Sequence, residues 1–394
     1  MRYKVKPEDF QVEELIQLSV SKGGRYSIYR VEKRNATTMA VRARMARALG
    51  KSHSDVIVPA FKDKDAVAIQ HVAVRGGGPR SLSGDGFEAE RLGYSERPLK
   101  PTDLLGNRFT LILRDLSDQE ADHIQTRRAE LAEFGLPNYF DQQRFGSLPK
   151  SPEDDHIAKK ILQRDEEGAV HAYLAEEFIG DPGHVRRFKA FAAEHWEEWP
   201  IVFEAAPSPS NFRSVLTYLR DHPTKGSDSA STDFRKALNL INRRLLSIYL
   251  SAYQSLLWNR VAGRFLADQL PDVPSQVEIA RETLPLYHTL PPDIDREMEI
   301  PRPYHRAKFG TGTLGQIARD VIAEEGFVKN DLKPRILDKA YFSRGKRMLL
   351  LFPPEIATAT PQPDERFAGR LKLELTFELP RGTYATLVLK ALTL

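Results

Sequence analysis

Hydrophobic and polar positions in the first part of the chain predict a strand-rich region with one helix. β-Branched and aromatic residues fill segments 10–20 and 25–31, and the turn signal Gly23-Gly24 between them predicts a hairpin. Thr37 or Thr38 can cap a helix that runs to about Leu49 and ends at Gly50. Further strands are predicted at residues 56–58, 66–74 and 107–113, a mobile loop at 75–86, and a helix at about 116–134.

The middle of the chain changes to helical periodicity. From residue 152 to about 338 the apolar spacing is mostly helical, and it is interrupted by a Ser/Asp segment at 226–232. Strand patterns return at 347–352, 370–377 and 383–389. We therefore expect an α+β fold in which both ends of the chain build one sheet domain, residues 1–150 and 341–394, around an inserted, mainly helical domain at 151–340.

Composition narrows the class of protein. The 394 residues are 41% hydrophobic and 28% charged, enough for two or three domains with real cores. The chain contains no cysteine, which excludes disulfides, thiolate zinc sites and cysteine nucleophiles. No apolar run approaches the roughly 18 residues that span a bilayer, and the first ten residues lack the apolar core of a signal peptide. These features predict a soluble, cytoplasmic protein without a membrane partner.

Charge is distributed unevenly along the chain. The net charge is only +4, but residues 21–64 contain eleven lysines and arginines against three acidic residues. Such a basic region on a nearly neutral body can hold a phosphate backbone locally. The alternative is that these arginines only solvate a helix face and strand edges.

Two motif-like segments have structural explanations that we prefer. Gly310-Thr311-Gly312-Thr313-Leu314-Gly315 matches the dinucleotide fingerprint G-x-G-x-x-G, but no buried strand precedes it and no βαβ alternation follows. We therefore prefer to interpret this segment as the glycine-rich start of a helix. The alternative is the dinucleotide site of a nicotinamide-dependent oxidoreductase. Glu153-Asp154-Asp155-His156 has metal-ligand chemistry, yet its position after Pro152 is typical of a helix N-terminus. We expect no metal site.

Asp63 is the carboxylate that suggests chemistry. It stands between Lys62 and Lys64, directly after an apolar strand. Flanking cations favour the ionised carboxylate, which can act as a nucleophile. Taken alone, Asp63 could equally be a solvated turn residue.

Seven sequence blocks resemble the TruD family of tRNA pseudouridine synthases, in the family's order. They are K-V-K-P-E-D-F-Q-V-E-E at 4–14, K-R-N-A-T-T at 33–38, K-D-K-D-A-V-A-I-Q at 62–70, L-G-N-R-F at 105–109, P-N-Y-F-D-Q-Q-R-F-G at 137–146, A-Y-Q-S-L-L-W-N at 252–259 and F-E-L-P-R-G-T-Y-A-T at 377–386. Asp141 departs from the glycine usual after N-Y-F, and most of the helical middle matches poorly. Asp141 does not replace any residue that we propose as catalytic.

The resemblance implies a pseudouridine-synthase-type catalytic domain with a mixed or antiparallel sheet, an inserted TRUD-type domain, and isomerisation of a uridine in tRNA, with uridine-13 of the D-arm as the usual target. Asp63 would be the catalytic residue and Lys4 would position it. Phe140 would stack on the flipped base and Asn138 would orient the pocket, whereas Arg144, Gln254 and Asn259 would line the pocket or support it. Phosphate contacts are expected from Arg25, Arg30, Lys33, Arg34, Arg42, Lys62 and Lys64.

The resemblance also implies no cofactor, no metal, no nucleotide cofactor, tRNA as the partner and a monomer. A rival interpretation is an RNA-binding or tRNA-folding protein that keeps the scaffold with little catalysis. Singly, each site residue could have only a packing or surface role. The sequence leaves open whether Asp63 attacks the sugar directly or assists a glycal-type route.

Overall fold

The computed structural model describes residues 1–222, 233–270 and 275–393 of the chain. The chain forms two compact units: unit 1 combines Met1–Leu136 with Leu351–Leu394, and unit 2 is Pro137–Leu350. The predicted Ser/Asp segment at 226–232 lies outside the described residues. No helix in the described part of the chain is long and apolar enough to cross a bilayer.

The described residues form sixteen strands and eleven α-helices. The strands are β1 (Phe10–Ile16), β2 (Tyr26–Arg34), β3 (Val56–Ile57), β4 (Val67–Arg75), β5 (Ser81–Gly84), β6 (Phe87–Ser95), β7 (Leu104–Leu116), β8 (Leu136–Pro137), β9 (Ser275–Ile279), β10 (Glu282–Leu286), β11 (Glu299–Pro301), β12 (Lys346–Met348), β13 (Leu350–Leu351), β14 (Ile356–Thr358), β15 (Gln362–Pro363) and β16 (Leu371–Pro380). The helices are α1 (Thr38–Ala48), α2 (Asp118–Phe134), α3 (Ile157–Gln163), α4 (Glu166–Leu174), α5 (Gly183–Glu194), α6 (Trp199–Ala205), α7 (Arg213–Asp221), α8 (Phe234–Asn239), α9 (Arg243–Gln269), α10 (Thr313–Glu324) and α11 (Ala385–Thr393).

Unit 1 is built on a ten-stranded mixed sheet. Its order is β14-β16-β7-β1-β4-β2-β6-β5, and β15 and β3 pair with β16 and β4. Only β1 and β4 are parallel; the other pairs in this sheet are antiparallel. Strands from both ends of the chain therefore share one sheet, which gives the α+β class that the sequence predicts.

The predicted hairpin of β1 with β2 is wrong. β4 lies between them, parallel to β1 and antiparallel to β2. Nearly every residue of β4 is buried, so this strand needs a hydrogen-bonded neighbour on each edge. β1 and β2 supply those two neighbours instead of pairing with each other.

Two further predictions about local structure in unit 1 need correction. The loop at 75–86 contains β5, which pairs with β6 across Asp85-Gly86, a two-residue hairpin signal with Gly86 at φ +72°. The strand expected at 383–389 is instead the start of α11. Its Leu387, Val388, Ala391 and Leu392 are buried at helical spacing, and the helix packs against α2.

Helix α1 follows the sequence prediction closely. The Thr37 hydroxyl accepts a hydrogen bond from the Ala40 amide at 3.1 Å, and Gly50 follows the helix with φ +62°. Val41 and Met45 bury their side chains against the sheet with Val72 and its neighbours. This packing fixes α1 beside the loop that joins β3 to β4.

Unit 2 is organised around the long helix α9. Its middle, from Ala252 to Asn259, is buried all round, as expected of a helix at the centre of a bundle. Helices α3 and α10 pack on α9, and so does β10 of the hairpin β9–β10. β11 pairs antiparallel with β12, which brings Ile300 opposite Arg347.

Candidate active site

Asp63 lies in unit 1, in the loop between β3 and β4, and is paired with Lys4. The Lys4 ammonium donates to Asp63 Oδ2 at 2.9 Å, and the two side chains are 25% and 29% exposed. The pair is thus accessible from solvent but held in one geometry. The structure brings together these two residues, which the sequence places 59 positions apart.

The backbone of Lys4 is unusual. Its φ is +58°, a left-handed conformation that non-glycine residues rarely adopt. The conformation aims the side chain so that Nζ lies 4.0 Å from the centroid of the Phe10 ring while it reaches Asp63. Strained backbone of this kind clusters at functional sites, where the surrounding structure holds it in place.

The loop that carries Asp63 is anchored through Lys62. The Lys62 amide donates to the Thr38 hydroxyl at 3.0 Å, and its ammonium donates to Asn107 Oδ1 at 2.6 Å. The same ammonium lies 3.3 Å from Glu14 Oε1, whose side chain is fully buried. Because the loop is tied to β1, α1 and β7, the position of the neighbouring Asp63 is fixed.

Lys33 anchors the loop from inside the protein. It is fully buried, and its ammonium donates to the Asp63 carbonyl oxygen and, at 2.9 Å, to the Ala36 carbonyl oxygen. Burial lowers the pKa of Lys33 to about 8, against an opposing effect of the nearby Asp63 charge. A cation therefore lies directly beneath the candidate catalytic loop.

Sequence reasoning did not single out Glu14, Thr38 and Asn107 as site residues. Each lies inside a different one of the seven blocks, and each contacts Lys62. The seven sequence blocks were the signal that could have identified these residues. Blocks that are far apart in the sequence but meet around one loop indicate that they build one site.

Phe140, in unit 2, is held by its backbone. Asn259 Oδ1 accepts from the Phe140 amide at 2.9 Å, and Asn259 Nδ2 donates to the Phe140 carbonyl at 2.8 Å. The residue is 4% exposed, and its ring meets Trp258 edge to face, with centroids 5.6 Å apart. Asn259 is thus a residue that positions Phe140.

Arg347 completes this arrangement, and sequence reasoning missed it. Its guanidinium carbon lies 4.1 Å from the Phe140 ring centroid, so it covers part of the ring. It donates to the Asn138 carbonyl and to Asn138 Oδ1, both at 2.7 Å, and to the Tyr139 carbonyl at 3.2 Å. No local pattern marks this arginine, because its partners lie more than 200 residues earlier.

Arg144 and Gln254 have supporting positions in unit 2. The Arg144 guanidinium carbon lies 5.6 Å from the Phe140 ring centroid, and its Nε donates to the Ser255 hydroxyl at 3.1 Å. Gln254 is buried and donates to the carbonyls of Pro303 and Ser343, each at 2.9 Å. Arg144 is thus grouped with Phe140, whereas Gln254 bonds to two backbone carbonyls and accepts from the Ser343 hydroxyl at 2.7 Å.

The basic residues predicted to bind phosphates differ in exposure. Lys33 is buried, Lys62 is half-buried with 8% of its side chain exposed, and both ammonium groups are engaged with or beside the Asp63 loop instead of lying free at the surface. Arg42 donates to the carbonyls of His53 and Val56. The others lie at the surface of unit 1 or are part-exposed there: Arg25 beside Glu96, Arg30 beside Glu13, Arg34 beside Glu8, and Lys64.

The two motif-like segments have structural roles. Gly312 precedes α10, Gly310 has φ +83°, and a Cβ on Gly315 would collide with the Gly310 carbonyl oxygen. The preceding strand β11 pairs antiparallel, unlike a βαβ unit. His156 caps α3 by accepting from the Ala158 amide at 3.0 Å, and burial lowers its pKa to about 3. The described residues contain no cluster of three potential metal ligands.

Comparison with solved structures places the fold in a known class. A crystal structure of the TruD protein of Methanosarcina mazei superposes with a TM-score of 0.69, at 23% identity, over 99% of this chain and 93% of that one. The fold is therefore that of tRNA pseudouridine synthase D.

Comparison of sequences identifies the family. The family model described as tRNA pseudouridine synthase D (TruD) matches residues 1–392. "Probable tRNA pseudouridine synthase D 2" of Methanocaldococcus jannaschii is 29% identical over 395 residues, covering 99% of this chain and 91% of the relative. The "tRNA pseudouridine synthase D" of Aquifex aeolicus is 26% identical, covering 100% and 98%. The chain belongs to the TruD family.

Proposed function

We propose that this chain is a tRNA pseudouridine synthase in which Asp63 is the catalytic carboxylate. The observation that carries the proposal is the Lys4–Asp63 ion pair, held on a loop that is anchored by Lys62 and Lys33. Membership of the TruD family supports the class of reaction.

The reaction requires rearrangement within one nucleoside. The bond from the ribose C1′ to the base N1 breaks, the base turns, and C1′ joins C5; C5 loses a proton and N1 gains one, so atoms balance without a reductant or a nucleotide. A carboxylate can act by attacking C1′ or by assisting proton removal from the sugar. Lys4 would hold the Asp63 carboxylate in position for either route.

The target base must leave its stack, which costs a few kcal/mol and calls for an aromatic surface and polar partners. We infer that Phe140 provides that surface and that Asn138 orients the pocket. Arg347 and Asn259 would hold Phe140 in place, through the contacts at 4.1 Å and at 2.8–2.9 Å. Since Phe140 is only 4% exposed, stacking would require one face of its ring to open when RNA binds.

The finer specificity belongs to the same proposal. Uridine-13 of the tRNA D-arm is the proposed target, and the protein is proposed to act as a monomer without a nucleotide cofactor. Among the basic residues of unit 1, the exposed Arg25, Arg34 and Lys64 are the proposed phosphate contacts. The buried Lys33 and the half-buried Lys62 already hold the Asp63 loop. Such contacts make binding depend steeply on salt.

The test is pseudouridine formation on unmodified tRNA transcripts with no added cofactor, mapped by carbodiimide labelling and primer extension. We expect one uridine to be modified, at position 13. Modification at another single position would keep the activity and overturn the target. Binding of the tRNA without any modification would favour the rival interpretation, an RNA-binding or tRNA-folding protein. In a separate equilibrium dialysis, absence of NAD binding would exclude the interpretation as an oxidoreductase.

A further inference from the structure

A second group of basic residues lies in unit 2, on three segments that the backbone brings side by side. The Arg302 amide donates to the Gly345 carbonyl at 3.0 Å, and the His305 amide donates to the Leu332 carbonyl at 3.1 Å. The β11–β12 pairing sets Pro301 opposite Lys346. Residues 301–308, 332–335 and 344–346 are therefore neighbours in space.

Four cations on these segments are exposed and carry no counter-charge. Arg306, Lys308, Lys333 and Arg344 are exposed, and no carboxylate of the described residues lies within 4.0 Å of their side-chain nitrogens. We call these four residues the basic face. By contrast, the nearby Lys346 is 3.5 Å from Glu299. The sequence around the basic face is also unbalanced, with eleven lysines and arginines against five acidic residues from position 302 to 347.

The half-buried His305 lies among three of these cations. Burial lowers the pKa of its imidazole, and Arg306, Lys333 and Arg344 lower it further by repulsion of its protonated form. Three cations on three different segments thus act on one side chain. In the described part of the chain, none of these three cations has a carboxylate within 4.0 Å of its side-chain nitrogens.

We propose that the basic face binds the phosphate backbone of the substrate tRNA, as an RNA contact of unit 2 separate from the cations of unit 1. The inference rests on the proposed function, which makes tRNA the partner. Unneutralised cations a few residues apart suit a polyanion that carries one charge per nucleotide, and long lysine and arginine side chains can follow such a chain. The net charge of the chain does not reveal this region, because acidic residues elsewhere in the chain offset its positive charge.

The experiment measures the dissociation constant of a labelled, unmodified tRNA transcript from the full chain, at 50 to 300 mM salt. The test variant is Lys333→Gln with Arg344→Gln. A matched control, Arg186→Gln with Arg187→Gln, removes the same charge from exposed arginines of α5 in the same unit. A second variant, Lys333→Arg with Arg344→Lys, keeps the charge and reports on any loss of fold.

Each phosphate contact contributes about 0.9 to the slope of log affinity against log salt, which is about 8-fold in affinity at 0.1 M. For the test variant we expect the slope to fall by about 1.5 to 1.8 and the affinity at 0.1 M to fall by about 30- to 60-fold. The charge-keeping variant and the α5 control should keep the wild-type slope. An unchanged slope in the test variant, or an equal loss in the control, overturns the basic face as an RNA contact.

Single-turnover pseudouridine formation at saturating enzyme separates this inference from the proposed function. If the wild type forms pseudouridine, the test variant should do so at the same rate once it is saturated, because only binding is weakened. A slower rate at saturation would contradict a purely binding role. If the wild type forms none, the proposed function fails, while the salt slopes still decide whether the basic face binds RNA.

Discussion

Replacing Arg347 with lysine should destabilise unit 2 strongly, although the charge is kept. The planar guanidinium donates three hydrogen bonds, two of 2.7 Å to Asn138 and one of 3.2 Å to the Tyr139 carbonyl, and it covers the Phe140 ring. A lysine ammonium cannot reproduce this fork, so at least two buried acceptors lose their donor. At about 1.5–3 kcal/mol for each hydrogen bond to a charged group, the loss of two such bonds should cost about 3–6 kcal/mol.

Tryptophan fluorescence in a urea titration measures this cost, because all three tryptophans of the chain, Trp196, Trp199 and Trp258, belong to unit 2. With a slope of about 2 kcal/mol per molar urea, the midpoint should fall by about 1.5–3 M. Arg344→Lys is the matched control: it makes the same exchange at an exposed arginine three positions earlier and should stay within about 0.5 kcal/mol of wild type. Equal midpoints for Arg347→Lys and wild type would refute the claim that this guanidinium holds the Phe140 segment.

Three other changes should act on unit 1, with unfolding followed by circular dichroism. Arg114→Met removes the guanidinium that binds the fully buried carboxylates of Asp9 and Asp364, each at 2.9 Å, so the free energy of unfolding should fall by about 3–5 kcal/mol. A fall below about 1 kcal/mol would contradict a stabilising role of this network. Between pH 8 and 10.5, Lys33 binds fewer protons in the folded protein than in the unfolded chain, because its pKa is lowered on folding. The free energy of unfolding of wild type, relative to that of Lys33→Met, should therefore rise by about 3 kcal/mol over this range. A difference between the two proteins that does not change with pH would contradict the lowered pKa. Gly135→Ala should lower the free energy of unfolding by about 1–3 kcal/mol, because φ of Gly135 is +70° and a Cβ would lie 2.8 Å from the Leu351 carbonyl oxygen. An unchanged unfolding midpoint would show that the backbone can shift at this position without cost.

Local sequence patterns predicted the elements that depend on local physics. Helix α1 has its cap and its terminal glycine in the sequence, and β4 and β7 have the apolar pattern of strands. The arrangement of β1 and β2 could not be derived in this way, because β4 inserts between them and only the completed sheet decides the pairing. The C-terminal helix α11 was missed because its threonines and valine favour a strand, whereas packing against α2 favours a helix.

The candidate site shows the same division. The resemblance identified Asp63 and Lys4, and the structure joins them at 2.9 Å. Lys33 and Lys62 look like surface cations in the sequence. A contact with the Asp63 carbonyl oxygen allows Lys33 to be buried, and the contact with the buried Glu14 allows Lys62 to be half-buried. Such long-range partners leave no periodic or local signal.

The most direct test of the central claim compares Asp63→Asn with Asp65→Asn in single-turnover pseudouridine formation on an unmodified tRNA transcript. Both variants exchange a carboxylate for an amide of equal size on the same loop, but only Asp63 is paired with Lys4. We predict that Asp63→Asn binds the tRNA as wild type does and forms no detectable pseudouridine, while Asp65→Asn keeps wild-type activity. Pseudouridine formation by Asp63→Asn at the wild-type rate would show that this carboxylate does not perform the reaction.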